Sequence, residues 1–383
     1  MTQPLAGYRI VDLTRVLSGP FLTQLLGDLG ADVIKVEAPE GDTVRNQGDQ
    51  RDGFSWYFAG FNRNKRSIVL DLKSPDGKAA LEALIRSADA LVENFRPGVL
   101  TRLGFGPERL EELRPGLITC AVTGFGADGP YKDRPAFDFI AQAMSGFMST
   151  NGDETDPPLR SGLPISDLVA GLYGALGVTA ALLRRERGGD GEHVDISLNN
   201  GMVSLLAYVA SNYFASGRAT PRSGNDHPIA APYGLFETAD DPIAIAPNDN
   251  VFFGRLMDAL ELTALKDDPD FQNNDLRVAN RDRLNAAVRA RTETASAAHW
   301  VETLNAAGVP CCRVNDVAGV FDDPQVRSQE MALEIEHPQH GPMTVLGYPM
   351  KFRNAPCETR AHPPDLGEHT EAILTELGLK PEH

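Results

Sequence analysis

Cysteine is scarce in this sequence, with four in 383 residues. Cys120, Cys311, Cys312 and Cys357 have no metal-ligand spacing, and the adjacent Cys311–Cys312 pair is poor disulfide geometry. They read as reduced and structural. The eight histidines form no His-x-x-x-His or His-x-Glu arrangement, so no metal site is indicated. Cations are also short: 36 Lys and Arg against 53 Asp and Glu leave a net charge of −17. That argues against a nucleic-acid partner, whose phosphates need an excess of Lys and Arg, but it permits one local basic pocket. No apolar run of membrane-spanning length is uninterrupted; the longest, after Asp167, is Gly- and Ala-rich and ends in Arg184-Arg-Glu-Arg187. The N-terminus lacks the basic region and apolar core of a signal peptide. A cytoplasmic protein without a membrane partner is expected.

What is present is the balance of a soluble globular protein, 42% hydrophobic and 23% charged, long enough for one large or two ordinary domains. Residues 8–14 read as a strand, 21–29 as a helix and 32–37 as a strand. In a parallel sheet such a unit places its ligands at the strand ends. This first unit has no Gly-x-Gly-x-x-Gly at its turn, which argues against a nicotinamide dehydrogenase. Residues 67–72, 75–88 and 89–95 repeat the pattern, and 117–123 add a strand. The alternation predicts a doubly wound α/β sheet. A helix over 137–148, a strand over 193–198 and an apolar helix over 202–214 follow. The Gly-, Pro- and Arg-rich stretch 217–232 is the linker candidate. Beyond it lie a hairpin (234–238 and 242–246) and helices over 251–260, 277–292 and 297–307. Residues 309–314 and 343–346 are strand-like, and 367–379 form an amphipathic tail helix. There is no internal repeat.

Three basic clusters fall in loops or after strands of the first half: Arg63/Lys65/Arg66, Lys73, and Arg96/Arg102. In so acidic a chain, that placement points to a phosphate-bearing ligand, against the plainer reading of solvated loop cations. The other notable stretch is Ser161-Gly-Leu-Pro-Ile-Ser-Asp167, leading into residues 168–183, which are apolar nearly all round and predict a helix packed inside a domain. A carboxylate at the helix entrance either caps it, or stays ionised there and acts as a nucleophile if a pocket opens beside it.

Leu5-Ala-Gly-Tyr-Arg-Ile-Val-Asp-Leu-Thr-Arg-Val-Leu-Ser-Gly-Pro20, Gly30-Ala-Asp-Val-Ile-Lys-Val-Glu37, Asn62-Arg-Asn-Lys-Arg-Ser67, Val92-Glu-Asn-Phe-Arg-Pro-Gly98 and the Asp167 element, in that order and spacing, resemble the class III acyl-CoA transferases, the formyl-CoA and carnitine CoA-transferase family. The resemblance runs from about residue 5 to Leu366-Gly-Glu-His369. It implies a large Rossmann-like CoA-binding domain, 1–216 completed by 345–383, and linkers with a smaller inserted α+β domain, 217–344. It also implies a homodimer of interlocked rings. Asp167 matches the family nucleophile, which attacks an acyl-CoA to give a mixed anhydride and then an aspartyl-CoA thioester. Exchanging one activated acyl derivative for another needs no metal but must exclude water.

Coenzyme A would then be a substrate rather than a permanently bound cofactor. Positions matching family CoA contacts are Val16, Ser18, Leu70, Asp71, Leu72, Lys73, Asn94, Phe95, Arg96 and Arg102, with the two guanidiniums expected at phosphates. Phe95 either lines the CoA channel or is a core aromatic. Two departures stand out. The family's 2-methylacyl-CoA racemases carry a His where this chain has Phe137, before Asp138, which disfavours a racemase. Formyl-CoA transferases carry a Gln at the place of Leu17 and a glycine-rich loop where residues 244–250 have none, which argues against oxalate as acceptor. Residues 227–236 are similar to family members acting on dicarboxylates, and a small dicarboxylate is the expected acceptor. Arg160, Arg222 and His227 are candidates to meet its second carboxylate. A non-catalytic CoA-binding protein is the third reading, with no use for Asp167.

Overall fold

Strands buried on both faces read as near-continuous apolar runs, and Ala90-Leu-Val92, wholly buried, lies at the heart of one sheet. The computed structural model describes residues 2–379. Six parallel strands, β1 (Arg9–Asp12), β2 (Asp32–Glu37), β3 (Lys65–Val69), β4 (Ala90–Glu93), β5 (Ile118–Thr123) and β6 (Glu192–Ser197), stand in the order β3-β2-β1-β4-β5-β6. This is the order of the doubly wound nucleotide-binding sheet, whose winding reverses between β1 and β4 and leaves a crevice beyond their carboxyl ends.

Helices cover the sheet. Helix α1 (Ser18–Asp28) follows β1 and is buried along almost its whole length. Helix α2 (Pro75–Ser87) starts where the Ser74 hydroxyl accepts from Gly77 N–H and Pro75 takes the first position. It buries Ala80, Leu81, Leu84 and Ile85 against the sheet. After the short α3 (Asp138–Met144) comes the longest helix, α4 (Ile165–Glu186), which crosses back to β6. Helices α1 and α4 pack backbone to backbone. A Cβ on Gly171 would lie 2.7 Å from Phe21 Cδ1 and 3.0 Å from Ser18 O, and one on Gly174 would lie 2.2 Å from Leu22 Cδ1. Leu22 is fully buried in that contact, and truncating it to alanine should cost about 2–5 kcal/mol.

The apolar run behind Asp167 was expected to be buried all round. It buries one side, Val169, Ala170, Val178, Ala181 and Leu182, while Leu172, Tyr173, Leu176 and Leu183 stand exposed on this single chain. The expected helix over 202–214 is two helices, Leu198–Ser204 and Ala207–Ser216, broken before Ala207, whose φ is 44°. The helix expected over 277–292 divides likewise, into Asn274–Ala279 and Arg281–Thr292.

The chain forms two compact units: one comprises residues up to Phe147, Ser161–Leu206 and Pro324 onward, the other Met148–Arg160 and Ala207–Asp323. The first unit includes the hairpin Ala332–His337/Gly341–Leu346, placed with the small domain in the sequence reading, and the tail helix Thr370–Glu376 against the β3 side of the sheet. The second unit has a three-stranded antiparallel sheet of Gly234–Phe236, Ile243–Ile245 and Cys311–Arg313. Its core gathers Phe236, Ile243, Ile245, Leu256, Phe271 and Trp300.

Candidate active site

In a parallel sheet all carboxyl ends lie along one edge, so residues distant in sequence meet there. The segments that follow β1, β3 and β4 carry every expected CoA contact, with Ser18 opening α1 and Arg102 ending a short helix, Val99–Arg102. After β1 the chain turns through Val16, at φ 71°, into α1. After β4, Asn94 locks the two loops at the winding reversal: Arg15 N–H donates to Asn94 Oδ1 at 3.0 Å, and Asn94 Nδ2 donates to Arg15 O at 2.8 Å. Leu72 and Phe95 pack on the same core cluster as buried Leu70. Asp71 turns the loop back, its Oδ1 accepting Lys73 N–H at 2.9 Å. Lys73, Arg96 and Arg102 are exposed and make no ion pair among the described residues, and the same holds for Arg15, which the sequence reading did not single out. Unpaired cations on loops along one edge of the sheet, in a chain this acidic, are what a polyanion requires.

The first basic cluster is different. Lys65 is fully buried and donates to Asp12, Asn62 Oδ1 and Pro20 O. Arg63 pairs with buried Asp28 at 2.6 Å, and Arg66 with Asp32 at 2.7 Å. These residues hold the fold together, and the phosphate reading of that cluster is corrected. Arg222 is also committed, donating to the carbonyls of Asp153, Glu154 and Asp156.

Asp167 lies in the first turn of α4, four residues before Gly171 and so on the same helix face, the one pressed against the start of α1. Ser18 lies beside that face, its carbonyl oxygen 3.0 Å from where a Cβ on Gly171 would stand, and its hydroxyl draws the Asp167 carboxyl down. Asp167 does not cap its helix. That work falls to Asp138, whose Oδ1 accepts from Ser166 N and Ser166 Oγ, both at 2.9 Å, and whose Oδ2 accepts from Gln142 Nε2. Burial, and then the charge of Asp138, push the Asp167 carboxyl up to about 7, while the Ser18 hydrogen bond pulls it down. Half of it is ionised near neutrality, in a more basic and therefore more nucleophilic form than a solvated aspartate. Tyr57 completes the surroundings: burial, Asp167 and Asp42 all raise its phenol. Its ring meets Phe61, which in turn meets Phe21 on α1. The aromatic run Trp56-Tyr-Phe58 within a polar stretch was the signal for it.

Three other features could be mistaken for the site. A cavity of about 560 Å³ runs along β4–β6; Glu93, Glu111, Glu192 and Asp195 line it with no Lys or Arg in its wall, a poor lining for a polyphosphate, although Pro97, Gly98, Leu100 and Thr101 from the segment between Arg96 and Arg102 border it. Gly124-Phe-Gly-Ala-Asp-Gly129, after β5, has the Gly-x-Gly-x-x-Gly spacing absent from the first unit. It leads into turns rather than a helix, so the helix N-terminus that a dinucleotide pyrophosphate needs is missing. His337, His340 and Asp365, and His337, His362 and Glu368, lie close enough to be tested as metal ligands. His337 Nδ1 accepts from the Gln339 and His340 N–H groups, which leaves the proton on Nε2, donated to Pro363 O at 3.1 Å. That nitrogen is not free for a metal.

The sequence matches CoA-transferase family III over residues 5–370. The chain belongs to CoA-transferase family III. The human succinyl-CoA:glutarate CoA-transferase is 37% identical over 98% of this chain and 86% of its own length. The acetyl-CoA:oxalate CoA-transferase of Acetobacter aceti is 40% identical over 98% of this chain and 96% of its own length. A crystal structure of a CAIB/BAIF family protein from Brucella suis superposes with a TM-score of 0.88 at 39% identity, covering 98% of this chain and all of that one. The transferase therefore combines a parallel six-stranded sheet, unpaired cations at its carboxyl edge and a basic carboxylate at a helix start.

Proposed function

We propose that the transferase moves CoA from an acyl-CoA thioester to a small dicarboxylic acid through covalent intermediates on Asp167. The observation that carries the reading is Asp167 itself: a carboxyl freed from capping by Asp138, held by Ser18 and raised to about 7 by burial. Its carboxylate attacks the thioester carbonyl and expels CoA thiolate, leaving an aspartyl–acyl mixed anhydride. The thiolate attacks the aspartyl carbonyl, releasing the donor acid and forming aspartyl-CoA. The acceptor carboxylate attacks that thioester, and the thiolate released takes the acceptor acyl group from the new anhydride. Each step exchanges one acyl bond for another, and the thiolate is the only leaving group that must be retained. The burial of Asp167 serves to exclude water, which would hydrolyse every intermediate.

Lys73, Arg96 and Arg102 are the candidate phosphate contacts, with Val16, Ser18, Leu70, Asp71, Leu72, Asn94 and Phe95 lining the nucleotide and pantetheine path. The dicarboxylate acceptor is supported by relatives named for glutarate, oxalate and mesaconate. Leu17 is buried and offers no hydrogen bond, which favours a longer acid of the glutarate kind over oxalate. Arg160, exposed, and His227 remain candidates for its second carboxylate. The exposed apolar face of α4, together with Phe137, 75% exposed, supports a homodimer, and we carry the interlocked arrangement as part of this proposal. Four unpaired cysteines suit the reducing cytoplasm.

A racemase would need a proton acceptor where Phe137 stands, and a phenyl ring cannot serve. The test is peptide mass analysis after incubation with succinyl-CoA and hydroxylamine, which converts an activated aspartyl carbonyl to a hydroxamate. A hydroxamate on Asp167 is expected. Unmodified Asp167 across a panel of acyl-CoA donors would sink the reading.

A further inference from the structure

Ser18 reaches Asp167 from a turn that its own residues disfavour. Val16 sits at φ 71°, in the left-handed region where a β-branched residue is an outlier. Buried charge beneath the turn holds it there. Both Asp42 carboxylate oxygens accept the Val16 N–H at 3.1 Å, and Oδ2 also accepts from Lys35 Nζ at 3.1 Å. The same Nζ donates to Thr14 O at 2.9 Å. Asp12 Oδ1 takes the Thr14 N–H at 2.8 Å. Thus Thr14 N, Thr14 O and Val16 N are pinned in succession, and the Lys35 and Asp42 side chains are 0% and 1% exposed. The fit is tight: a Cβ on Gly19 would lie 2.3 Å from Thr14 Cβ.

We propose that the Lys35–Asp42 ion pair is a positioning device for the transfer reaction, holding residues 14–18 in the conformation that keeps Ser18 beside Asp167. The proposal rests on the reading of Asp167 as nucleophile. A buried ion pair adds little stability over an apolar pair of the same shape, because desolvating two ions offsets their attraction. What it adds here is direction. Each partner carries hydrogen bonds to a specific backbone atom of the strained turn, which an apolar pair could not make.

The test is D42N, which removes the negative charge and replaces one of the two oxygens that accept the Val16 N–H with an NH2 donor that faces it. At saturating acyl-CoA, hydroxylamine-trapped acylation of Asp167 should fall about 100-fold, the cost of a misplacement on the order of an ångström. A second readout needs no turnover: the Asp167 carboxyl, followed by carbon-13 NMR, should titrate about one unit higher once the Ser18 hydrogen bond is lost. The sign decides between mechanisms. If Asp42 acted on Asp167 only through its charge, removing that charge would move the titration down. Should D42N not fold, K35M/D42N leaves no unpaired buried charge and is read the same way. Parental acylation, or a titration that stays put or falls in a variant with unchanged melting, overturns the proposal. If Asp167 of the parent is never labelled, the nucleophile reading fails, and the titration judges the positioning alone.

Discussion

Asp167 and Glu93 lie in the same compact unit, and burial pushes both carboxyls up to about 7. Their neighbours differ. Glu93 accepts one backbone N–H, from Phe95, and faces Asp195 across a cavity walled by Leu91, Leu100 and Phe105 and by further acids. Asp167 faces the Ser18 hydroxyl at the start of α1, where no side chain caps the helix. A raised carboxyl and a roomy cavity are therefore not enough to nominate an acyl-transfer site. The side chains beside each carboxyl separate the two places: the Ser18 hydroxyl draws Asp167 down, whereas Glu93 has one backbone N–H and a second acid.

The comparison breaks most sharply on activity. D167N should lose more than about 10⁴-fold in turnover and all hydroxamate labelling, as removal of a nucleophile does. Removing one cation should act on binding: R96A and R102A are each expected to weaken CoA about 10-fold by calorimetry, more strongly at low salt. S18A, which keeps the turn but removes the donor, should slow acylation about 10-fold and raise the pH at which it is half-maximal above that of the parent. In the parent that rate should climb with pH through about 7 as the carboxylate forms.

Stability gives a smaller and shared effect. Both carboxyls hold in the folded state a proton that the unfolded chain releases, Asp167 above 3.8 and Glu93 above 4.5. Their contribution is thus present at low pH and is lost as pH rises through about 7. Thermal melts should find D167N and E93Q each above the parent at pH 8 and level with it at pH 3. The smallest effect sharpens the contrast: E93Q should keep acylation within about twofold of the parent. A large loss there would make the second cavity part of the catalytic machinery.

Much of the first half was legible in sequence because local pattern and final structure agree. The runs 32–37, 75–88 and 117–123 became strand, helix and strand almost as read. Lys65 and Arg63 misled because charge in sequence carries no sign of burial; only the folded chain shows Asp12 and Asp28 waiting for them. Asp138 was read for the Phe137 before it, since nothing local says that its carboxylate will reach a helix start 28 residues on. The face of α4 was read as buried because periodicity reports how apolar a side is, not what covers it.

By itself, then, the sequence determined the alternation of strands and helices, the absence of a glycine fingerprint at the first turn, and the motifs that place the chain in its family, because these depend on neighbours within a few residues. Tertiary structure alone decided which cations stay unpaired, which carboxylate caps α4 and which is left uncommitted, and how a strained valine is held. Each of those depends on burial and on partners as far apart as Ser18 and Asp167, 149 residues, and both arise only when the sheet brings its loops to one edge.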